Sequence, residues 1–203
     1  MTEVHSNIKK CAVIILAAGQ SSRLGKAKQL LPFGDKTLLE HVADIALSSG
    51  LRPVIVVIGY EKDEIAEKLT GLDLRMVIND GWEEGMASSI RCGVKWLMQF
   101  YPAVDGAVIM VCDQPFVSPA LLNHLLVSQH ASGKPVVAAS YEGIAGIPSL
   151  FHQSLFPYLL ELKGDHGARK LFTQHPEWVE TISFPEGNLD IDTESDYKNL
   201  QQW

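Results

Sequence analysis

Apolar residues fall into two rhythms along this chain. Uninterrupted runs of strand length recur at 12–18 (AVIILAA), 53–59 (PVIVVIG), 74–78 (LRMVI) and 106–112 (GAVIMVC). They are rich in Val and Ile and lack polar alternation, as strands buried on both faces should be. Between them the period lengthens to that of a helix. In TLLEHVADIALSSG (37–50), Leu38, Val42, Ile45 and Ala46 share one face, with Thr37 placed as N-cap and Gly50 as the stop. EKDEIAEKL (61–69) and ASSIRCGVKWLMQF (87–100) read the same way. Strand alternating with helix predicts an α/β fold, with βαβ units around a mostly parallel sheet over the first 130 residues. Further strands are expected near 135–140, 147–151 and 178–184, helices near 152–161 and 167–175, and a last helix after Asp192. With no repeat, low-complexity tract or linker, residues 1–203 read as a single domain.

Composition narrows the partners. Hydrophobic residues at 46% and charged residues at 20% are those of a globular protein with a sizeable core. A net charge of −7 excludes a general nucleic-acid surface, so an anionic ligand must be held by a local basic cluster. Cys11, Cys92 and Cys112 are widely spaced and form no C-x-x-C pair, which reads as buried thiols in a reducing compartment. No run reaches the length of a membrane span and MTEVHSNIKK carries no signal-peptide pattern, so the expected location is the cytoplasm.

The local basic cluster sits in AAGQSSRLGKAKQLLP (17–32), directly after the first apolar run. Two familiar phosphate motifs fail there. Five residues separate Gly19 from Gly25, and Lys26 is followed by Ala27, so it is not a P-loop; Ser21 breaks G-x-G-x-x-G. What remains is a glycine-bearing turn at the carboxyl end of a strand, the edge where open α/β sheets bind ligands. Its backbone N–H groups from Ala18 to Gly25, with Arg23, Lys26 and Lys28, make an anion-binding concavity; a solvated loop is the other reading. VCDQP (111–115) places Asp113 at the end of another strand, on the same edge. A carboxylate there suits Mg²⁺, which bridges one or two carboxylates and substrate phosphates; a turn or cap ahead of Pro115 is the alternative. In LDIDTESDY (189–197), Asp190 and Asp192 alternate and point opposite ways, and Asp192 on its own reads as a helix cap.

Taken together, these residues resemble the MobA-like nucleotidyltransferases. The signature L-A-A-G-x-S-x-R-x-G-x-x-K-x-L-L-P runs unbroken from Leu16 to Pro32. The likeness continues through GMASSIRCGV (85–94), CDQP (112–115), GDHGAR (164–169) and DIDTESDY (190–197). The nearest branch resembles the molybdenum cofactor cytidylyltransferases. The resemblance implies a Rossmann-like three-layer sandwich of the nucleotide-diphospho-sugar transferase type. It further implies Mg²⁺-dependent transfer of CMP from CTP onto the phosphate of molybdopterin with release of pyrophosphate, and a molybdoenzyme as recipient of the product.

Residue by residue, the resemblance sets Leu16, Ala17, Ala18 and Gly19 against the nucleoside, with Ser22 in the same loop; Ala18 matches the cytidine-using branch. Arg23 and Lys28 match the phosphate-binding pair, with Lys26 a weaker candidate. The serine of G-x-x-x-S-I-x-x-G contacts the nucleoside in related cytidylyltransferases, which points to Gly85 and Ser89. Asp113 matches the magnesium aspartate and Asp192 the second metal position, while Asp190 keeps a structural reading. Asp165, His166 and Arg169 are candidates for the acceptor pocket, Arg169 as its phosphate clamp; a capped helix start with Arg169 at the surface is the equal alternative. One departure bears on the acceptor: molybdopterin-specific members show Gly-His-Pro or Gly-Asn-Pro where this chain has Gly146-Ile147-Pro148. A transferase acting on a sugar phosphate or other small phosphorylated molecule, or a non-catalytic cofactor carrier, are the rival readings.

Overall fold

The computed structural model describes residues 7–21, 24–165, 167–191 and 193–200. The first apolar run becomes strand β1 (Cys11–Ala17), buried at every position. A two-residue pair, β2 (Pro32–Phe33) and β3 (Lys36–Thr37), leads into helix α1 (Leu38–Ser48). Thr37 caps that helix as expected: its hydroxyl accepts from Glu40 N at 3.2 Å, and the Glu40 carboxylate accepts from Thr37 N at 2.7 Å. Then follow β4 (Val54–Ile58), α2 (Lys62–Lys68), β5 (Arg75–Ile78), α3 (Met86–Phe100), β6 (Gly106–Val111) and α4 (Pro119–Ser132). The last third holds β7 (Val136–Tyr141), β8 (Ile144–His152), α5 (Phe156–Leu160), α6 (Arg169–Gln174), β9 (Val179–Ser183) and α7 (Glu194–Leu200).

Seven strands form one sheet in the order β5-β4-β1-β6-β8-β7-β9. Only β8 runs against the rest, pairing antiparallel with β6 and β7. β1 lies near the middle, with Ile15 opposite Val56 of β4 and Met110 of β6. Its side chains divide between two cores, as the two-residue period of a strand requires. Val13, Ile15 and Ala17 pack with Leu39 and Val42 of α1 and Leu122 and Leu125 of α4. Ala12, Ile14 and Leu16 pack with Ile90, Val94 and Leu97 of α3 and Phe156 of α5. The result is helix, sheet, helix: the three-layer sandwich expected above. Ile14 and Ile15 are fully buried, each contributing about 2 kcal/mol through burial alone. On α3, a Cβ added to Gly93 would sit 2.7 Å from Ile14 Cγ2, so this glycine sets how closely α3 approaches the sheet.

Helix α4 is the element the hydrophobic rhythm does not announce. Ser118 caps it, accepting from Leu121 N at 3.1 Å, and Pro119 opens it. Its apolar residues surround the axis instead of forming a stripe; Leu122 and Leu125 are buried while Val127 is 62% exposed. The helix expected at 152–161 is a 3₁₀ turn, Gln153–Leu155, continued by α5.

Candidate active site

Because β1 and β6 pair in parallel with Leu16 opposite Val111, the chain after each strand emerges on the same edge, side by side. The turn after β1 is tied down through its carbonyls. Gln29, 1% exposed, donates from Nε2 to Ala17 O at 2.7 Å and Gly19 O at 2.8 Å. Tyr60 N donates to Ala18 O at 3.1 Å. In a planar trans peptide the N–H points opposite to the preceding C=O, so these three tethers fix the directions of the N–H groups of Ala18, Gly19 and Gln20. Ser21 takes φ 55° and accepts from Lys28 N at 3.3 Å, folding the loop back on itself.

Lys28 reaches across the cleft to Asp113 and donates to its Oδ2, with only 16% and 15% of the two side chains exposed. The second carboxylate oxygen, Oδ1, is buried without a hydrogen-bond partner. A buried anionic oxygen with no donor is costly, and a cation at that point would relieve it. This donor fits a hard divalent ion. Among the described residues no group of three or more His, Cys, Asp or Glu side chains is placed to hold a metal. The thiol of neighbouring Cys112 is pushed up to about 12 by burial and then by the Asp113 charge, with Lys28 pulling the other way. It is an inert core group.

The C-terminal segment docks here too. Ile191 N donates to Asp113 O at 3.3 Å, and Gln114 Nε2 donates to Gly187 O at 2.9 Å and Asp190 Oδ1 at 3.3 Å. Asp190 therefore has a structural partner, and the residue before Asp192 is bonded to Asp113's own backbone.

The opposite wall comes from the end of β5 and the start of α3. Asn79 is buried and donates from Nδ2 to Ser88 Oγ at 2.8 Å and Ser89 Oγ at 3.1 Å. Ser88 Oγ donates to Gly85 O at 2.8 Å, and Ser89 Oγ, which accepts from Asn79, keeps an O–H of its own to donate at the cleft it lines. Gly85 takes φ 98°, ψ −177°, a conformation open to glycine alone.

Leu16, Ala17, Ala18, Gly19, Lys28, Gly85, Ser89, Asp113 and Asp165 line a single cleft of about 460 Å³. Ser22, Arg23, His166 and Asp192 lie outside the described residues. Of the described acceptor candidates, Asp165 lines this cleft, and Arg169 begins α6, where its charge acts on Tyr141 at the end of β7. Lys26 places its ammonium 5.6 Å from the Tyr197 ring centre, a cation–π contact with α7. Gln29 and Asn79 hold the walls of the cleft, and sequence reasoning passed them over. The K-x-L-L-P stretch contained the signal for Gln29, a polar residue between lysine and two leucines. A larger hollow, about 590 Å³, lies at the far edge where β1, β4 and β5 begin; it contains none of the expected site residues.

Residues 13–179 match the MobA-like NTP transferase domain. The chain belongs to the MobA-like NTP transferase family. It is 31% identical to the purine catabolism protein PucB of Bacillus subtilis, over 93% of this chain and 95% of that one. It is 30% identical to nicotine blue oxidoreductase of Paenarthrobacter nicotinovorans, over 89% and 91%. A probable molybdenum cofactor guanylyltransferase of Bacillus mycoides is 29% identical over 59% of this chain and 56% of its own. Among solved structures, Rv0371c of Mycobacterium tuberculosis in complex with manganese superposes with a TM-score of 0.79 at 27% identity, covering 96% and 99%. A nucleotidyl transferase of Methanothermobacter gives 0.80 at 26%, covering 96% and 97%. Membership makes this chain a nucleotidyltransferase of the MobA-like kind, and among its described residues no helix is long and apolar enough to cross a membrane.

Proposed function

We propose that this MobA-like family member moves CMP from CTP onto a phosphate of molybdopterin in the cytoplasm, with Mg²⁺, and releases pyrophosphate. The observation that carries the reading is Asp113: a carboxylate at the ligand-binding edge, one oxygen on Lys28 and the other buried without a partner. Asp113, with Asp192 as the expected second ligand, would hold the Mg²⁺, which when bound neutralises charge on the α-phosphate and the leaving group. The acceptor phosphate oxygen forms a new bond to the α-phosphorus. The bond from that phosphorus to the α,β-bridging oxygen breaks, and pyrophosphate leaves with the electron pair. The nucleophile is already anionic near neutral pH, so no general base is required. The task is to bring two anions together and hold them in line.

Lys28 does this by exchanging Asp113 for the β- and γ-phosphates, with Arg23 as its proposed companion. The N–H groups of Gly19 and Gln20 take phosphate oxygens, and Gly85 and Ser89 take the nucleoside. Arg169, whose charge acts on Tyr141, would clamp the acceptor phosphate. Ala18 at the base-contacting position favours cytosine. Three free cysteines, two of them buried, suit a reducing cytoplasm.

A pyrophosphate-release assay with CTP, GTP, ATP and UTP in turn, Mg²⁺ and either molybdopterin or a sugar phosphate tests the reading. Release is expected with CTP foremost. Release only with GTP overturns the cytidine assignment, release only with a sugar phosphate overturns the acceptor, and tight molybdopterin binding without release overturns catalysis.

A further inference from the structure

The cleft is electrically polar along its length. Lys28 is the only cation among its described lining residues, and it sits with Asp113 at one end. Gly85, Ser89 and two carboxylates, Glu83 and Asp165, form the other wall. Two carboxylates with no cation beside them among the described lining residues repel a triphosphate, which favours one orientation: phosphates at Lys28, nucleoside at Asp165.

Asp165 is held there by backbone. Ala87 N donates to Gly164 O at 3.1 Å, which moors its loop to the start of α3. Downstream, a Cβ on Gly167 would lie 2.8 Å from Met86 Sδ, so the loop is seated closely on that helix. The carboxylate itself occupies space that a side chain at position 85 would fill: a Cβ added to Gly85 would sit 2.0 Å from Asp165 Oδ1. The glycine thus brings the carboxylate against the segment that the nucleoside meets.

We infer that Asp165 is a specificity-determining residue that accepts a hydrogen bond from the amino group of the nucleotide's base. The inference rests on reading the cleft as a nucleotide site, and it moves Asp165 from the acceptor to the nucleoside. An ionised carboxylate offers acceptors only. It rewards an N–H on the base edge and is left facing a carbonyl when that edge carries oxygen, which makes the wrong base costly. Cytosine presents an amino group where uracil presents a carbonyl. The Ser89 O–H, with its oxygen occupied by Asn79, supplies the complementary donor for a ring carbonyl. Acceptor and donor together match the cytosine edge and mismatch uracil at Asp165.

The test is calorimetric titration of the whole chain with CTP, UTP and dCTP in Mg²⁺, without acceptor, for wild type, Asp165→Asn and Asp165→Ala. Asp165 is exposed, so both variants should fold. Wild type should favour CTP over UTP at least ~10-fold, the scale of one charge-assisted hydrogen bond. Asp165→Asn, whose amide can donate to the uracil carbonyl, should bring the two within roughly threefold by weakening CTP and tightening UTP. Asp165→Ala should weaken CTP alone, and dCTP should follow CTP throughout. An unchanged CTP-to-UTP ratio in both variants overturns the inference, as does an equal loss for the two. If Asp165→Asn instead erases a preference for CTP over dCTP, the carboxylate reads the sugar and the base assignment falls. Absence of binding by any nucleotide to wild type overturns the nucleotide site itself.

Discussion

Replacing Gln29 with methionine removes two hydrogen-bond donors while keeping length and apolar contact. The side chain is 1% exposed and both its bonds end on carbonyls of the turn after β1, at Ala17 and Gly19. Each carbonyl that loses a buried partner costs about 1–3 kcal/mol, nearer the low end for Gly19, whose bond is only part-buried. One term runs the other way. Gln29 Oε1 is itself buried without a partner, and the substitution deletes that penalty. The net loss is therefore about 1–3 kcal/mol, which for a chain of this size lowers Tm by roughly 2–12 °C. Circular-dichroism melts measure it. The functional effect should be larger than the structural one: freed carbonyls can rotate toward the cleft and present oxygen to a triphosphate, so calorimetric affinity for Mg²⁺–CTP should fall at least ~10-fold. Gln29→Glu should be worse on both counts, since carboxylate oxygens would face the same two carbonyls. Two results refute the reasoning. A Met variant that melts like wild type means the two bonds contribute nothing, and one that melts lower yet binds CTP equally well means the tethers do not organise the turn.

Asp113→Asn should reduce pyrophosphate release by roughly 10²–10³ while the chain stays folded, because the amide oxygen still accepts from Lys28. Near-normal release in that variant removes Asp113 from the metal site. The buried thiols predict an alkaline limit to stability. Burial pushes Cys11 and Cys112 from 9.0 to about 12, so both stay protonated in the fold while the unfolded chain ionises. Stability is then fully present below pH 9.0 and is lost through about 12, at about 1.4 kcal/mol per pH unit for each thiol. Urea melts at two alkaline pH values should show that slope and Cys112→Ala should lessen it; a flat profile contradicts it. Under native conditions a thiol reagent should reach Cys92 first, since it alone of the three is not buried.

Much of this architecture was legible because strands buried on both faces leave no room for polar residues. AVIILAA and GAVIMVC could be read without a partner in view, and a carboxylate directly after such a strand has to emerge at the sheet edge. Lys28 and Asp113 meet for that reason. Helix α4 was illegible because its apolar residues surround the axis and its start depends on a Ser118–Pro119 cap. Asn79, Gln29 and Gln114 escaped for a different reason. Each satisfies groups remote in sequence, and a buried amide gives no periodic signal. GDHGAR left two readings open, an acceptor pocket and a capped helix start, because its glycines set a backbone path that residue type alone does not show. Gly164 and Gly167, at φ 70° and 54°, turn the chain twice in four residues, so Asp165 joins the cleft while Arg169 starts a helix on the Tyr141 side.

The charge balance of the cleft bears on the order in which ligands enter. A chain with net charge −7 does not attract a triphosphate from a distance. Nor do the described residues of the cleft, where Lys28 is paired with Asp113. Capture then falls to short-range groups: N–H donors of the turn, the Ser89 hydroxyl, and a lysine that changes partner. A divalent cation arriving alone would meet Lys28 across a carboxylate with few other protein ligands among the described residues, and two cations at contact distance in a partly desolvated cleft repel strongly. A cation arriving on the triphosphate brings the anion that draws Lys28 away. On the proposed reading, the species this cleft is built to admit is the metal–nucleotide complex, and binding should depend only weakly on ionic strength, since the interactions that select it are inside the cleft, well within the ~8 Å screening distance of physiological salt.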